Sequence, residues 1–222
     1  MSESVEAPCT TLPRVDYQFP RSPRPARLLA LVGEAPGRDE VKAQQPFVGR
    51  SGRLLDEHLR AAGIDRGACL VANVFRFQPP DNKVGHFFAS RAKARRLGVS
   101  LAETWGRFGG SDYCLSAFAD EIEALRRTLT EWRPAAIVAL GRTPLWALTG
   151  LGGILDCRGR VQVCRLLPEV PVVPTYHPSY LLRGNRAAEP AFQADLGLAA
   201  ALASGRAHPS APGAVPSNRQ TF

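Results

Sequence analysis

Apolar residues along this chain gather into short, nearly unbroken runs separated by longer amphipathic or polar stretches. Four runs stand out: RLLALVG ending at Gly33, CLVANVF ending at Phe75, AAIVALG ending at Gly141 and VPVVP ending at Pro174. Each has the length of a strand, and the lack of strict alternation implies burial on both faces, as in a parallel sheet. Between the runs the spacing predicts helices: one capped by Ser51 and running to about Ala62, one over Leu115 to Glu131 with an acidic start, a short one over Thr143 to Thr149, and one over Glu189 to Leu202. Strands alternating with helices predict an α/β fold, a three-layer α/β/α sandwich around a central, mainly parallel four-stranded sheet.

The flanks break this rhythm. Residues 1–26 hold five prolines and read as an extended N-terminal arm, lying on the domain or partly disordered; residues 27–203 form the domain; residues 204–222 have the composition of a flexible C-terminal tail. Residues 83–113 read as a partly helical insertion, because the basic run RAKARR (Arg91 to Arg96) and the loop RFGGSD fit neither pattern. That basic run reads first as a solvated face, with contact to nucleic acid as the alternative.

Composition narrows the class. In 222 residues, 45% are hydrophobic and 22% charged, which suits a globular domain, and no apolar run approaches a membrane span. The opening MSESVEAPCT lacks a basic segment followed by an apolar one, so we expect no signal peptide and a cytoplasmic, nucleoid-associated protein. A formal net charge of +8 favours a polyanionic partner. Only Lys42, Lys83 and Lys93 are lysines, so the excess is carried by arginine, the better fork for phosphate oxygens. The five cysteines (Cys9, Cys69, Cys114, Cys157, Cys164) contain no C-x-x-C pair, and neither a disulfide framework nor a metal site is expected.

Ligands of an open parallel sheet bind beyond the carboxyl ends of its strands. Here those ends carry GEAPGRDE (Gly33 to Glu40), Asn73 with QPPDN, GRTP from Gly141, and TYHPSYLLR (Thr175 to Arg183). Taken singly, each has an ordinary reading: Gly33, Pro36 and Gly37 as a turn, Phe47 as core, Asn73 as a strand-end residue, His177 as a satisfied histidine. Together they put the unusual polar residues on one edge.

The ordered motifs GEAPGRDE, PFVGRSGRLLD, NVFRFQPPDN and HPSYLLR, spanning Leu28 to Arg183, resemble those of the uracil-DNA glycosylase superfamily, most nearly its iron-sulfur thermophile-type branch (family four). The resemblance implies an enzyme that flips uracil, and possible related lesions, out of single- or double-stranded DNA and hydrolyses the N-glycosidic bond as a monomer, with no membrane involved. It implies Phe47 against the flipped ring, Asn73 reading the base edge, and Gly33, Ala35 and Gly37 lining the pocket. His177 would polarise the uracil carbonyl, while Glu34 and Asn82 position water and Glu40 braces the Asn82 amide. Contacts to DNA would come from Arg50, Ser51, Ser179 and Tyr180, from Gly141, and from Leu181, Leu182 and Arg183, with the leucines as a wedge. Ala35 and Gly37 depart from the uracil-specific enzymes, which carry an aspartate and a thymine-excluding tyrosine there; a roomier pocket is expected. The branch's cluster would need paired cysteines near the N-terminus, one in the proline-rich motif and one beyond it. With Cys9 alone, then Phe77, and Cys114 out of place, no cofactor is expected. No lysine stands at the motif edge for lyase chemistry. The alternatives are a non-catalytic or covalently trapping binder of uracil-containing DNA and a free-nucleotide hydrolase.

Overall fold

The computed structural model describes residues 11–21 and 29–207. In chain order its elements are β1 (Leu29–Gly33), α1 (Arg38–Ala43), α2 (Gly49–Ala61), β2 (Leu70–Asn73), β3 (Phe88–Ser90), α3 (Arg91–Leu97), β4 (Arg107–Gly109), β5 (Asp112–Cys114), α4 (Ala119–Trp132), β6 (Ala136–Leu140), α5 (Arg142–Thr149), α6 (Ile154–Cys157), β7 (Gln162–Val163), β8 (Pro171–Thr175), α7 (Pro178–Leu182) and α8 (Glu189–Ala203). The main sheet has the order β2-β1-β6-β8-β7. Its first four strands are parallel and are the four read from the sequence; β7 adds a short antiparallel fifth at the edge.

Alternation within each strand assigns the two faces. Ala30 and Val32 of β1 join Ala72, Ile137 and Ala139 in one buried cluster with Leu125 and Leu129 of α4 and Trp146 of α5. Leu29 and Leu31 join Val71, Ala136 and Val138 in a second cluster with Leu55 and Leu59 of α2 and with Phe192, Leu196 and Ala199 of α8. The sheet is therefore the middle layer of three, covered on both faces as parallel sheets require. Because β1 has β2 on one side and β6 on the other, the chain reverses its direction of travel at the end of β1, which is where a crevice forms in such sheets.

Two expectations change at the insertion and at helix starts. Residues 83–113 contain, besides α3, an antiparallel sheet of order β3-β5-β4. Its three-residue strands are too short to leave a periodic signature, and aromatic packing fastens them: Phe88 stacks on Phe108 at 3.9 Å and meets Trp146 edge-on at 5.3 Å, while Phe87 stacks on Phe75 at 4.2 Å. Helix α2 begins at Gly49 after Val48 rather than at a Ser51 cap, and α4 begins at Ala119 after a 3-10 turn over Ser116–Phe118.

The described part of the N-terminal segment runs antiparallel to β2. Val15 N–H donates to Arg76 O, and Gln18 and Val71 exchange both backbone hydrogen bonds, all at 2.8 Å. An otherwise open sheet edge is thereby paired. Residues 1–10, 22–28 and 208–222, and with them Cys9 and most of the predicted tail, lie outside the described residues. Among the described residues no helix is long and apolar enough to cross a membrane.

Candidate active site

The carboxyl ends of the four parallel strands open onto a cleft of about 900 Å³, lined by Glu34, Phe47, Asn73, Asn82, Arg142 and His177 among others. Gly33 ends β1 in register with Asn73 of β2. A Cβ on Gly33 would lie 2.3 Å from the tip of the Phe47 ring and 2.5 Å from Asn73 Oδ1. Glycine is required there by close approach, and ring and carboxamide converge over bare backbone.

Phe47 has φ of 53°, a left-handed conformation costly for a bulky side chain. Its surroundings hold it there. Glu40 Oε1 accepts Phe47 N–H at 2.5 Å, and Arg66 donates to Phe47 O at 2.8 Å and to Pro46 O at 2.6 Å. Gly52 of α2 makes room for the Phe47 carbonyl, which would stand 1.9 Å from any Cβ at that position. The other oxygen of Glu40 accepts Gly37 N–H. Burial raises the Glu40 pKa above the ordinary carboxylate range, and the bonds from Gly37 and Phe47 oppose that rise.

Glu40 was expected to brace Asn82; the structure corrects this. Both Glu40 oxygens serve backbone amides, and the Asn82 carboxamide accepts instead from Gln78 Nε2 at 2.9 Å. Asn82 still reaches the cleft, from a turn in which it and Asp81 have φ near 55°.

Glu34 follows β1 and is turned toward α5. Thr143 Oγ1 donates to Glu34 Oε2 at 2.5 Å. Burial pushes the Glu34 pKa upward, while the Thr143 hydrogen bond and then Arg183 and Arg142 pull it down. The group is thus a desolvated carboxylate with one oxygen fixed.

His177 caps α7. Its Nδ1 accepts Ser179 N–H at 3.1 Å and lies 2.8 Å from Ser179 Oγ. A nitrogen that accepts is unprotonated, so in the neutral ring the proton sits on Nε2. Burial, with Arg183 adding to it, lowers the His177 pKa to about 4, which keeps the imidazole neutral and Nε2 a donor. Phe47 lies beside it, ring centres 6.0 Å apart. Gly141 has φ of 103°, and a Cβ there would come 3.1 Å from His177 Cβ, so the β6 turn fits against the histidine only as glycine.

Around this centre the cleft is lined by Ala35, Gly37, Arg50, Ser51, Ser179, Tyr180 and Arg183. Arg183 is exposed and donates to Ser179 Oγ at 3.2 Å, and Tyr180 stacks on Tyr176 at 5.0 Å. The two leucines of the expected wedge stand in different surroundings. Leu181 is fully buried in the core under α7, where the helix turns it toward α2 and α8, and Leu182 is half-buried. Thr143, Arg66, Gln78 and Gly52 were not anticipated. Thr143 carried a signal, a hydroxyl opening a helix beside a strand end; Arg66 opens a single 3-10 turn and carries none.

The residues present do not fit the iron-sulfur cluster of the branch that the motifs resemble. Phe77 packs against the core below the proline-rich motif. Cys114 is fully buried. Among the described residues no group of three or more His, Cys, Asp or Glu could hold a metal ion. No step below passes through such a group.

Comparison with known proteins agrees with the motifs. The chain is 32% identical over 170 residues to a type-4 uracil-DNA glycosylase of Thermotoga maritima, covering 72% of this chain and 69% of the relative. It is 31% identical over 174 residues to a type-4 uracil-DNA glycosylase of Pyrobaculum aerophilum, covering 76% and 74%. The family model of the uracil DNA glycosylase superfamily matches residues 19–196, which contain the whole sheet and every residue of the cleft, and the chain belongs to that superfamily.

Proposed function

We propose that the protein is a DNA glycosylase that takes uracil out of the base stack and hydrolyses its N-glycosidic bond, leaving free uracil and an abasic site. The observation that carries this reading is the convergence of Phe47, Asn73, a neutral Nε2–H donor on His177 and the half-buried carboxylate of Glu34 in one cleft.

The chemistry divides among them. The Phe47 ring offers an aromatic face to the flipped base. Asn73 offers an adjacent donor and acceptor, which complement the carbonyl and N–H on the edge of uracil. As the bond to C1′ breaks, its electron pair goes to uracil, and His177 Nε2–H hydrogen-bonds the oxygen where that charge collects. A neutral donor suits this role because it stabilises the anion without first giving up its proton. The sugar is left cationic. Water adds to C1′ and passes its proton to Glu34, with Asn82 helping to hold that water, and the proton returns to the departing uracil. The bare wall at Gly37 gives room for bases larger than uracil.

Arg38, Arg50, Arg142 and Arg183 line the same cleft and supply the cationic rim that phosphates need. The test is release of free base from uracil-containing oligonucleotides, single- and double-stranded, by the wild type, His177→Ala and Glu34→Gln. Both variants should lose release and retain binding. A wild type that binds such DNA and yields neither free uracil nor abasic sites would make the protein a binder instead.

A further inference from the structure

A strained backbone persists only where its surroundings over-determine it, and the loop that presents Phe47 carries two such residues, Gln44 at φ of 50° and Phe47 at φ of 53°. One clamp on that loop is the Arg66 guanidinium, whose two terminal nitrogens reach the successive carbonyls of Pro46 and Phe47. Such a fork keeps its direction only if it is itself held. On one side Asp56 of α2 accepts from it at 2.8 Å; on the other Gln18 Oε1 accepts at 3.3 Å, across 48 residues of sequence. The same Gln18 oxygen accepts from Gln45 Nε2 at 3.1 Å. Arginine only donates, so the Gln18 atom that faces it is the carbonyl oxygen.

The N-terminal segment sets Gln18 in place through its backbone. Gln18 and Val71 exchange both backbone hydrogen bonds, and Arg21 N–H donates to Gly67 O at 2.9 Å, one residue beyond Arg66. Alternation along this extended stretch then sorts the side chains. Tyr17 and Phe19 turn toward the α4 layer, Tyr17 with its ring 5.2 Å from the Arg76 guanidinium and Phe19 stacked on Trp132 at 5.1 Å. Gln18 turns the other way, toward Arg66 and Gln45. Gln44 Nε2 adds a bond to Arg14 O at 3.2 Å. The segment therefore touches the loop at Gln44 and at Gln45, as well as through Arg66.

We propose that Gln18 is a positioning residue for base binding: through Arg66 and Gln45 it fixes the loop that carries Phe47, so the N-terminal segment is part of the machinery that receives the base. This rests on the reading of the protein as a glycosylase with Phe47 against the flipped ring. A ring held in place beforehand meets the base without first being ordered. Loss of the Gln18 oxygen should therefore weaken base binding and leave Glu34 and His177, which act on the breaking bond, where they are.

The experiment compares full-length wild type, Gln18→Ala, Gln18→Glu and Phe19→Ala by amide hydrogen exchange and by steady-state release of uracil from one oligonucleotide. Gln18→Ala keeps the backbone pairing with Val71 and removes the acceptor. It should speed exchange over residues 44–49 but not in β2, and raise KM about five- to tenfold with kcat within about twofold of wild type. Gln18→Glu keeps an acceptor oxygen for both donors and should restore the exchange and KM. Phe19→Ala loosens the segment on its other face and should alter neither. Unchanged exchange and KM in Gln18→Ala, the same losses in Gln18→Glu, or equal losses in Phe19→Ala would overturn the assignment with the glycosylase reading intact. A wild type that releases no uracil would overturn that reading and the base-binding role with it, while faster exchange in Gln18→Ala would still show the link from Gln18 to the Phe47 loop.

Discussion

Thr143 Oγ1 holds one oxygen of Glu34 at 2.5 Å, across 109 residues of sequence. The hydroxyl is wholly buried in the first turn of α5 and fixes the carboxylate that would receive the proton of the attacking water. Thr143→Val keeps the shape and removes the donor. The hydrogen bond lowers the Glu34 pKa, so its loss should move the acid limb of the rate profile to higher pH and reduce kcat about tenfold. Thr143→Ser should retain the wild-type profile. Single-turnover rates measured across pH on a uracil oligonucleotide check both.

Glu34 itself should show a trade between stability and activity. Its folded pKa lies above the unfolded value because of burial, so the folded state gains from the proton and loses stability as pH rises through that pKa. Glu34→Gln removes the charge and can still accept from Thr143. Its melting temperature at pH 7 should rise, while base release falls by about 10²- to 10⁴-fold, the usual contribution of a general base.

For His177 the sign is opposite. A folded pKa near 4 against an ordinary value of 6.5 means that the unfolded chain takes up the proton first. The contribution is complete above about pH 6.5 and is lost as pH falls toward 4; since the ring is partly open to the cleft, it should be on the order of 1–2 kcal/mol. In denaturant titrations the wild type should lose that amount as pH falls through the window, and His177→Ala should not. In activity, His177→Ala should lose about 100- to 1000-fold at neutral pH, as for a single preorganised donor.

Glu40 serves the pocket by holding backbone. Glu40→Gln puts an NH₂ against one of two N–H groups, at Gly37 or Phe47, and leaves that donor unmatched. The cost should be about 1–3 kcal/mol of stability, with a raised KM because Phe47 is no longer held in its left-handed conformation. Thermal unfolding and steady-state kinetics measure the two effects separately.

Gly37 bears on base choice. A panel of duplexes with uracil, hypoxanthine, xanthine or mismatched thymine should show release of bases besides uracil, and Gly37→Tyr should narrow the range. A wild type restricted to uracil would remove the argument from the bare wall.

The parallel strands and the covering helices were legible because each repeats one simple pattern over five or more residues. The location of the cleft was legible, since Gly33 and Asn73 end two of those strands and Gly141 and His177 stand just beyond the other two. What stayed hidden depends on contacts distant in sequence. Nothing local marks Arg66 as the group that holds the Phe47 carbonyl, and Leu181 follows the histidine motif closely while a single turn of α7 buries it. The small sheet of β3, β4 and β5 escaped because its strands are three residues long and are held by aromatic contacts reaching back to Phe75 and forward to Trp146.

Gly33, Phe47 and Asn73 fill one another's space so closely that none has room to vary by itself. Changing which base this protein accepts, by selection or by design, therefore has to proceed by steps at the open side of the cleft, around Gly37 and Asn82, because the closed side behaves as one inherited unit: an altered ring demands an altered amide and an altered strand end together.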